Sequence, residues 1–317
     1  MIKATIIADS ISAYSNQRIT TYELEYPRFI HAELLTHRLF SRNSASSRAI
    51  PIDKMIELVQ TNTAEPIHWG SNKSGMQAGD EIVNTTSAIN IWIDARNDAI
   101  KHAKRLQALG LHKQIVNRVL EPYQTIKVLV TATSFANFFN LRCHPAAQPE
   151  IKHLADLMYE TMQDSVPEVL KAGEWHTPYV NHERDDNGTL TYYVYKTDTT
   201  GTESDGYQYK QYLSLEDALK VSCSCAAQVS YRKNDASIEK ALAIYDKLVN
   251  SDPVHASAFE HCATPIYNEK QNGVTGFFER PTFLEKIPLS GNFQNWVQYR
   301  QLIPNHDCKE FKGKNHE

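Results

Sequence analysis

A chain of 317 residues, 41% of them hydrophobic, has the length for one large domain or two ordinary ones and the apolar content for a substantial core, which excludes an intrinsically disordered chain. Its formal net charge of −4 and pI near 6.4 provide no overall basic field, so nucleic acid is excluded as a bulk partner and a small anionic ligand held by local arginines is favoured. No apolar run approaches the ~20 residues of a membrane span, and Met1-Ile2-Lys3 does not open a signal peptide, so no membrane is expected and the chain reads as cytoplasmic, in the host cytoplasm if it is viral.

In chain order, Lys3 to Ser10 and Arg18 to Tyr26 read as strands, the second by its alternation, with Pro27 closing it. Phe29, Ile30, His31, Leu34 and Leu35 recur at helical spacing, and a Ser/Asn/Arg-rich loop is expected to follow. Pro51-Ile52-Asp53 opens a short helix, and the stretch 65–76 has the Gly, Pro and Asn content of a loop. A long amphipathic helix is expected from Asp80 to Leu109, stopped by Gly110, and helix again from Lys113 to Leu120. Thr125 to Thr131 is β-branched and reads as a strand, after which Thr133 or Ser134 is placed to cap a helix containing Asn137, Asn140 and Arg142. Ile151 to Leu170 reads as helix, Asp185 to Tyr209 as a β-hairpin excursion, and Leu213 to Ser224 and Ser237 to Asn250 as helices; the tail from Asn305 is charged.

No short-period repeat or low-complexity linker divides the chain. One interwoven α/β unit over 1–317 is therefore expected, with a signature-bearing part over 1–175, the hairpin excursion over 177–212 and a further part over 213–317. Five cysteines, none in a Cys-x-x-Cys pair, read as free thiols of a reducing compartment. Thirteen histidines show no metal-ligand spacing, so no metal is expected.

The stretch Thr36 to Arg48 is suited to phosphate. Three arginines fall within eleven residues, and Ser and Asn donors surround them; a guanidinium offers a forked, charged donor worth roughly twice a neutral hydrogen bond.

His37-Arg38, seven residues, then Ser46 resembles the signature of the flavin-dependent thymidylate synthases, and Ser41, Asn43 and Arg48 fall where that family has Ser, Asn and Arg. Arg118 to Pro122, then Asn137-Phe138-Phe139-Asn140-Leu141-Arg142 with Gln148 and Glu150-Ile151, is similar to a second segment of the same family. Ala226-Ala227-Gln228-Val229-Ser230-Tyr231, read as helix, and His255-x-Ser257-x-x-Glu260-His261 resemble a third. In the family these last segments precede the signature; here they come about 180 residues after it, so the chain reads as a circularly permuted or rearranged relative. Trp296-Val297-Gln298-Tyr299-Arg300 looks like a worn copy of the apolar stretch before the signature, which keeps partial duplication open as the rival, beside a plain aromatic helix.

The resemblance implies a mixed sheet with long helices, a homotetramer with FAD sites shared between subunits, and reductive methylation of dUMP to dTMP by 5,10-methylenetetrahydrofolate and NADPH, without a cysteine nucleophile. It places Ser46, Ser47 and Arg48 on the nucleotide phosphate with Arg118 as a second arm, and Glu33, Ser44 and Ala45 beside them. Arg142 is assigned to the pyrimidine edge as the catalytic residue. Thr36, His37, Arg38, Asn43, Asn137, Ser230, His255, Ser257 and Glu260 are assigned to the flavin.

The chain departs from the family pattern at Thr36 (first signature Arg), Ser44 (commonly acidic), Glu33 (usually Gln), Gln228 (usually Arg) and Ala146 (often His). These departures keep alternatives open: one-carbon transfer of another kind, such as hydroxymethylation of dUMP or dCMP, or a nucleotide- or flavin-binding module without catalysis.

Overall fold

A computed structural model describes residues 2–198, 207–232, 235–267 and 292–308. Its main sheet grows from alternation. In β2 (Arg18–Pro27) Tyr22, Leu24 and Tyr26 point to one face and Thr21, Glu23 and Glu25 to the other; in β4 (Thr125–Ala132) Ile126, Val128, Val130 and Ala132 match the first set. With β1 (Lys3–Ser12), β3 (Ser41–Ser44) and β5 (Glu168–Leu170) they form five strands in the order β3-β4-β2-β1-β5. Neighbours are antiparallel except β1 and β5, which makes the sheet mixed.

The apolar face is covered by α5 (Ala136–Arg142) and α6 (Pro149–Asp164), whose Ile151, Leu154, Ala155 and Met158 are wholly buried at helical spacing against it. Burying each such Leu or Ile side chain contributes about 1.5–3 kcal/mol. Pro149 at the first helical turn and Gln148, whose side-chain oxygen accepts from the Ile151 amide at 3.1 Å, start α6.

Beyond the sheet edge, α1 (His31–Leu35) leads into the signature, while α2 (Ile52–Thr61), α3 (Thr85–Ala108) and α4 (Lys113–Val116) build a separate cluster around Val59, Ile100, Val116 and Leu120.

The opposite, polar face of the sheet receives α7 (Leu215–Gln228) and a 3-10 turn, Ala256–Glu260; Leu129 packs there against Ala226, Val229 and Ala258. α8 (Ile238–Val249) lies against α7. A three-stranded antiparallel meander, β6 (Asn181–Arg184), β7 (Leu190–Asp198) and β8 (Tyr207–Leu213), shares a core with α7 and with Trp296. A short pair, β9 (Ala263–Pro265) and β10 (Trp296–Gln298), closes the described chain.

On the polar face five buried groups are linked in a row. Ser10 Oγ meets His176 Nδ1 at 2.9 Å, His176 Nε2 meets Thr21 Oγ1 at 2.8 Å, Thr21 meets Thr131 at 2.7 Å, and Thr131 meets His261 Nδ1 at 2.8 Å.

Several sequence expectations are corrected. The middle of the signature is the edge strand β3, paired with β4, because its four residues need only one neighbour's ladder and no apolar face of their own. The helix expected to Leu170 ends at Asp164, and Glu168–Leu170 pairs in parallel with β1. The helix expected from Asp80 begins at Thr85, where the Asn84 side chain accepts from the Ser87 amide. Neither Thr133 nor Ser134 caps α5, whose N-cap is Phe135. The excursion adds a third strand, β6, to the expected antiparallel pair, here β7 and β8; residues 199–206 and the tail from 309 lie outside the described residues. The segment read as a worn copy is the strand β10 followed by a 3-10 turn, Tyr299–Leu302, not a helix.

Candidate active site

The period of two in β3 divides the signature between the two faces of the sheet. Ser41 and Asn43 turn toward α7: Gln298 Nε2 donates to Ser41 Oγ at 3.0 Å, and Asn43 Nδ2 donates to the Ala226 carbonyl at 3.2 Å, satisfying an acceptor in the last turn of α7. Arg42 and Ser44 turn the other way, Arg42 donating to the Leu35 carbonyl at 3.0 Å. Past the strand, the Ser46 amide donates to the Ser230 carbonyl at 3.0 Å, which ties the signature to the segment after α7.

Two cavities result. The larger, of about 700 Å³, is lined by Asn43, Ser46, Arg48, Gln228, Ser230, His255 and Ser257, with Tyr231 and Lys247 at its wall and apolar Ala227, Ile244, Leu248 and Ala258. The smaller, of about 230 Å³, is lined by Ser44, Ala45, Ser46, Ser47, Arg48, Arg118, Arg28 and His31. Ser46 and Arg48 line both, so the two cavities adjoin at the end of the signature.

Around the smaller hollow, Asn117 is buried and donates to the Ser47 carbonyl at 2.7 Å and the Ile50 carbonyl at 3.0 Å, holding the turn that presents Ser46 to Arg48. Burial, then the cations of Arg28 and Arg42, push His31 down to about 4, so its ring is neutral at pH 7; its Nδ1 meets the Tyr26 hydroxyl at 2.8 Å.

Arg142 lies in neither cavity of its own chain. Its Nε donates to His37 Nε2 at 3.1 Å, one terminal nitrogen reaches Glu33 at 3.3 Å and the other Thr36 Oγ1 at 3.4 Å. Burial first, then the charges of Arg142 and Arg42, lower the pKa of His37 and favour a neutral ring that accepts from Arg142. Exposed Leu35 and Leu141 lie on the helices that carry Glu33 and Arg142, and exposed Phe29 and Leu39 flank this stretch in the chain.

The remaining assigned residues are dispersed. Arg38 and Asn137 are exposed and line neither cavity. Glu260 is paired with Arg300, which joins the segment after β10 to the 3-10 turn. Gln228 is buried, its amide nitrogen donating to the Asp235 carbonyl at 2.8 Å, and Ala146 is exposed. The sequence reading missed Arg28 and His31, which stand just past the Pro27 strand end, and Tyr231 and Lys247, whose only signal is proximity to the matched segments. Among the described residues no group of three or more His, Cys, Asp or Glu could hold a metal ion, and no helix is long and apolar enough to cross a membrane.

Comparison with known proteins adds the following. No curated protein matches the chain. Among solved structures it is similar to a UMP/dUMP methylase, PolB from Streptomyces cacaoi, bound with 5-Br dUMP, at 17% identity and a TM-score of 0.44 over 52% of this chain and 90% of that one. It is also similar to Thymidylate Synthase X from Helicobacter pylori with FAD and dUMP, at 15% identity and a TM-score of 0.33 over 45% of this chain and 67% of that one. These likenesses are weak, and a sequence match carries the assignment. The family described as thymidylate synthase complementing protein matches residues 10–168, half of the chain and the half that holds the signature, Arg118 and Arg142. The chain therefore belongs to the thymidylate synthase complementing protein family, the flavin-dependent thymidylate synthases.

Proposed function

We propose that this chain methylates dUMP to dTMP, with FAD as cofactor, 5,10-methylenetetrahydrofolate as carbon donor and NADPH as reductant. The observation that supports this most is the junction of the two cavities at Ser46 and Arg48, which sets a hollow rich in arginine and hydroxyl donors beside a larger, partly apolar one.

The smaller hollow takes the nucleotide phosphate. Ser46 and Ser47 offer hydroxyls, and Arg48 and Arg118 offer charged forks. The larger cavity fits a flavin in its chemistry: Ala227, Ile244, Leu248 and Ala258 form an apolar wall for a ring, while Lys247, Ser230, Ser257 and His255 supply donors for its diphosphate and ribityl oxygens. Reduced FAD supplies the hydride when bound, leaving the protein to position the reactants and shape the field around them.

Arg142 serves the pyrimidine edge. A cation opposite N3 of uracil lowers the pKa of that nitrogen and enriches C5 in electron density, which is what attack on a one-carbon donor requires. Because Arg142 lines neither cavity of its own chain, and exposed Leu35 and Leu141 lie on the helices that carry Glu33 and Arg142, it is proposed to complete a site across a subunit interface in a homotetramer. On this reading the segments 226–231 and 255–261 are the permuted first part of the family's order, and 1–317 is one unit. Neutral His37 and Thr36 orient the guanidinium, exposed Arg38 and Asn137 border the flavin from the same interface, and Glu260, on the 3-10 turn against the opposite face of the sheet, approaches it from there.

The test is an absorbance spectrum of the purified protein and a turnover assay. A yellow protein converting dUMP to dTMP with methylenetetrahydrofolate and NADPH is expected; a colourless one that neither binds FAD nor consumes the folate overturns the reading. A second reading, hydroxymethylation of dUMP or dCMP, is favoured by the Glu33 carboxylate beside the Arg142 guanidinium, which alters the charge met by a base. Mass spectrometry of products from both nucleotides separates the two.

A further inference from the structure

The phosphate hollow has a carboxylate built into its arms. Glu121, on the 3-10 turn Asn117–Tyr123, meets three groups through one oxygen, Oε1: it accepts from Arg118 at 2.8 Å and Ser47 Oγ at 3.3 Å and forms an ion pair with Arg28 at 3.2 Å. Its side chain is about one-quarter exposed and Ser47 is buried, so this is a shared, partly desolvated cluster and not a lone pair on the surface. Arg28, Arg118 and Ser47 all line the hollow, and none of its lining residues is acidic. The internal carboxylate therefore satisfies two of its three arginines and one of its hydroxyls.

The consequence is one of charge matching. Arg28, Arg48 and Arg118 together carry three positive charges, and Glu121 reduces the sum to two. A phosphate monoester near neutral pH carries about −1.5 to −2, whereas each added phosphoryl group brings roughly one charge more. A hollow reduced to two matches a monoester; a hollow of three would favour longer phosphate chains.

Resting on the reading of this hollow as the nucleotide phosphate site, we propose that Glu121 is a specificity-determining residue that biases the site toward nucleoside monophosphates and against di- and triphosphates. It does so as an internal anion competing with the ligand for Arg28, Arg118 and Ser47.

The experiment compares wild type, Glu121→Gln and Glu121→Asp by titration with dUMP, dUDP and deoxyuridine. Glu121→Gln keeps the shape and an acceptor oxygen but removes the charge. It is expected to tighten dUMP about threefold and dUDP about tenfold, with deoxyuridine unchanged and a steeper salt dependence. Glu121→Asp, which keeps the charge, is expected to hold the dUDP-to-dUMP ratio at the wild-type value. Weaker dUMP binding by Glu121→Gln, an unchanged ratio, or the same shift in both variants overturns the proposal. Wild type that fails to bind dUMP overturns the proposed function instead; the ratio of pyrophosphate to phosphate affinity on the three proteins then decides the role of Glu121.

Discussion

Asn43 and Ala226 stand 183 residues apart in the chain and are joined by one hydrogen bond, Asn43 Nδ2 donating to the Ala226 carbonyl at 3.2 Å. The bond fastens the signature strand to the end of α7, and the larger cavity opens beside it. Asn43 thus acts on the cavity through backbone geometry as well as through its own polar atoms.

Replacing Asn43 with Ala leaves that carbonyl without its buried donor. The expected cost is about 1–3 kcal/mol of stability, read as a lower urea midpoint with an unchanged slope. If the bond also sets the cavity, flavin affinity falls in parallel, whereas Asn43→Asp, which loses the donor and adds a buried charge, is expected to be worse on both counts.

Arg142→Ala tests the cluster of Arg142, His37, Glu33 and Thr36. The guanidinium is partly exposed and its partners are polar, so melting is expected to change little. Turnover with dUMP is expected to fall by about 10²–10³, the scale of losing one charge-stabilising donor in an active site. Arg142→Lys restores charge without the planar fork, and a partial recovery of the rate would separate charge from geometry. Full activity in Arg142→Ala would remove it from the mechanism.

The buried row ending in His176 and His261 predicts an acid limit. Burial pushes both imidazoles down to about 3, against about 6.5 in an unfolded chain. The unfolded state then binds the extra protons, so their neutral forms support stability fully above pH 6.5 and lose it progressively as pH falls toward 3. Each of the two contributes a slope of up to about 1.4 kcal/mol per pH unit inside that window, and His31, pushed down to about 4, adds a further share above pH 4. Urea melts between pH 8 and 4.5 should show it, and His261→Gln should remove about 1.4 kcal/mol per pH unit from the slope; a flat profile would refute the assignment.

Arg300 and Glu260 form a pair whose carboxylate side is mostly buried. Arg300→Ala strands that charge and is expected to cost about 1–3 kcal/mol, less than a fully buried pair because the arginine is partly exposed. The loss should register locally, as faster amide exchange at Trp296 to Leu302, before it shifts the global melt.

Part of this was legible along the chain. The alternation of Ile19 to Tyr26 and the β-branched run from Thr125 produced β2 and β4, since a half-buried strand must present apolar side chains every second residue. The signature was legible through residue types suited to phosphate. β3 was not, because Ser41 to Ser44 is an edge strand of polar residues whose pairing depends on a partner some 85 positions away. The strand Glu168–Leu170 escaped for the same reason, being too short for a period to reveal and fixed by β1.

What the sequence by itself determined is the set of chemical groups: the signature from His37 to Arg48, Arg118, Arg142 and the downstream segments 226–231 and 255–261, with the family to which half the chain matches. The tertiary structure alone decided how they are shared out. Alternation at β3 sends Asn43 to one face and Ser44 to the other, and the link from Ser46 to Ser230 closes one cavity. Arg142 is left to a half-buried cluster with His37, apart from both cavities, and Glu121 is set among the phosphate arms. Residue type fixes what a side chain can do, but which groups act together depends on contacts between positions far apart in the chain, and those exist only once the sheet and α7 have packed.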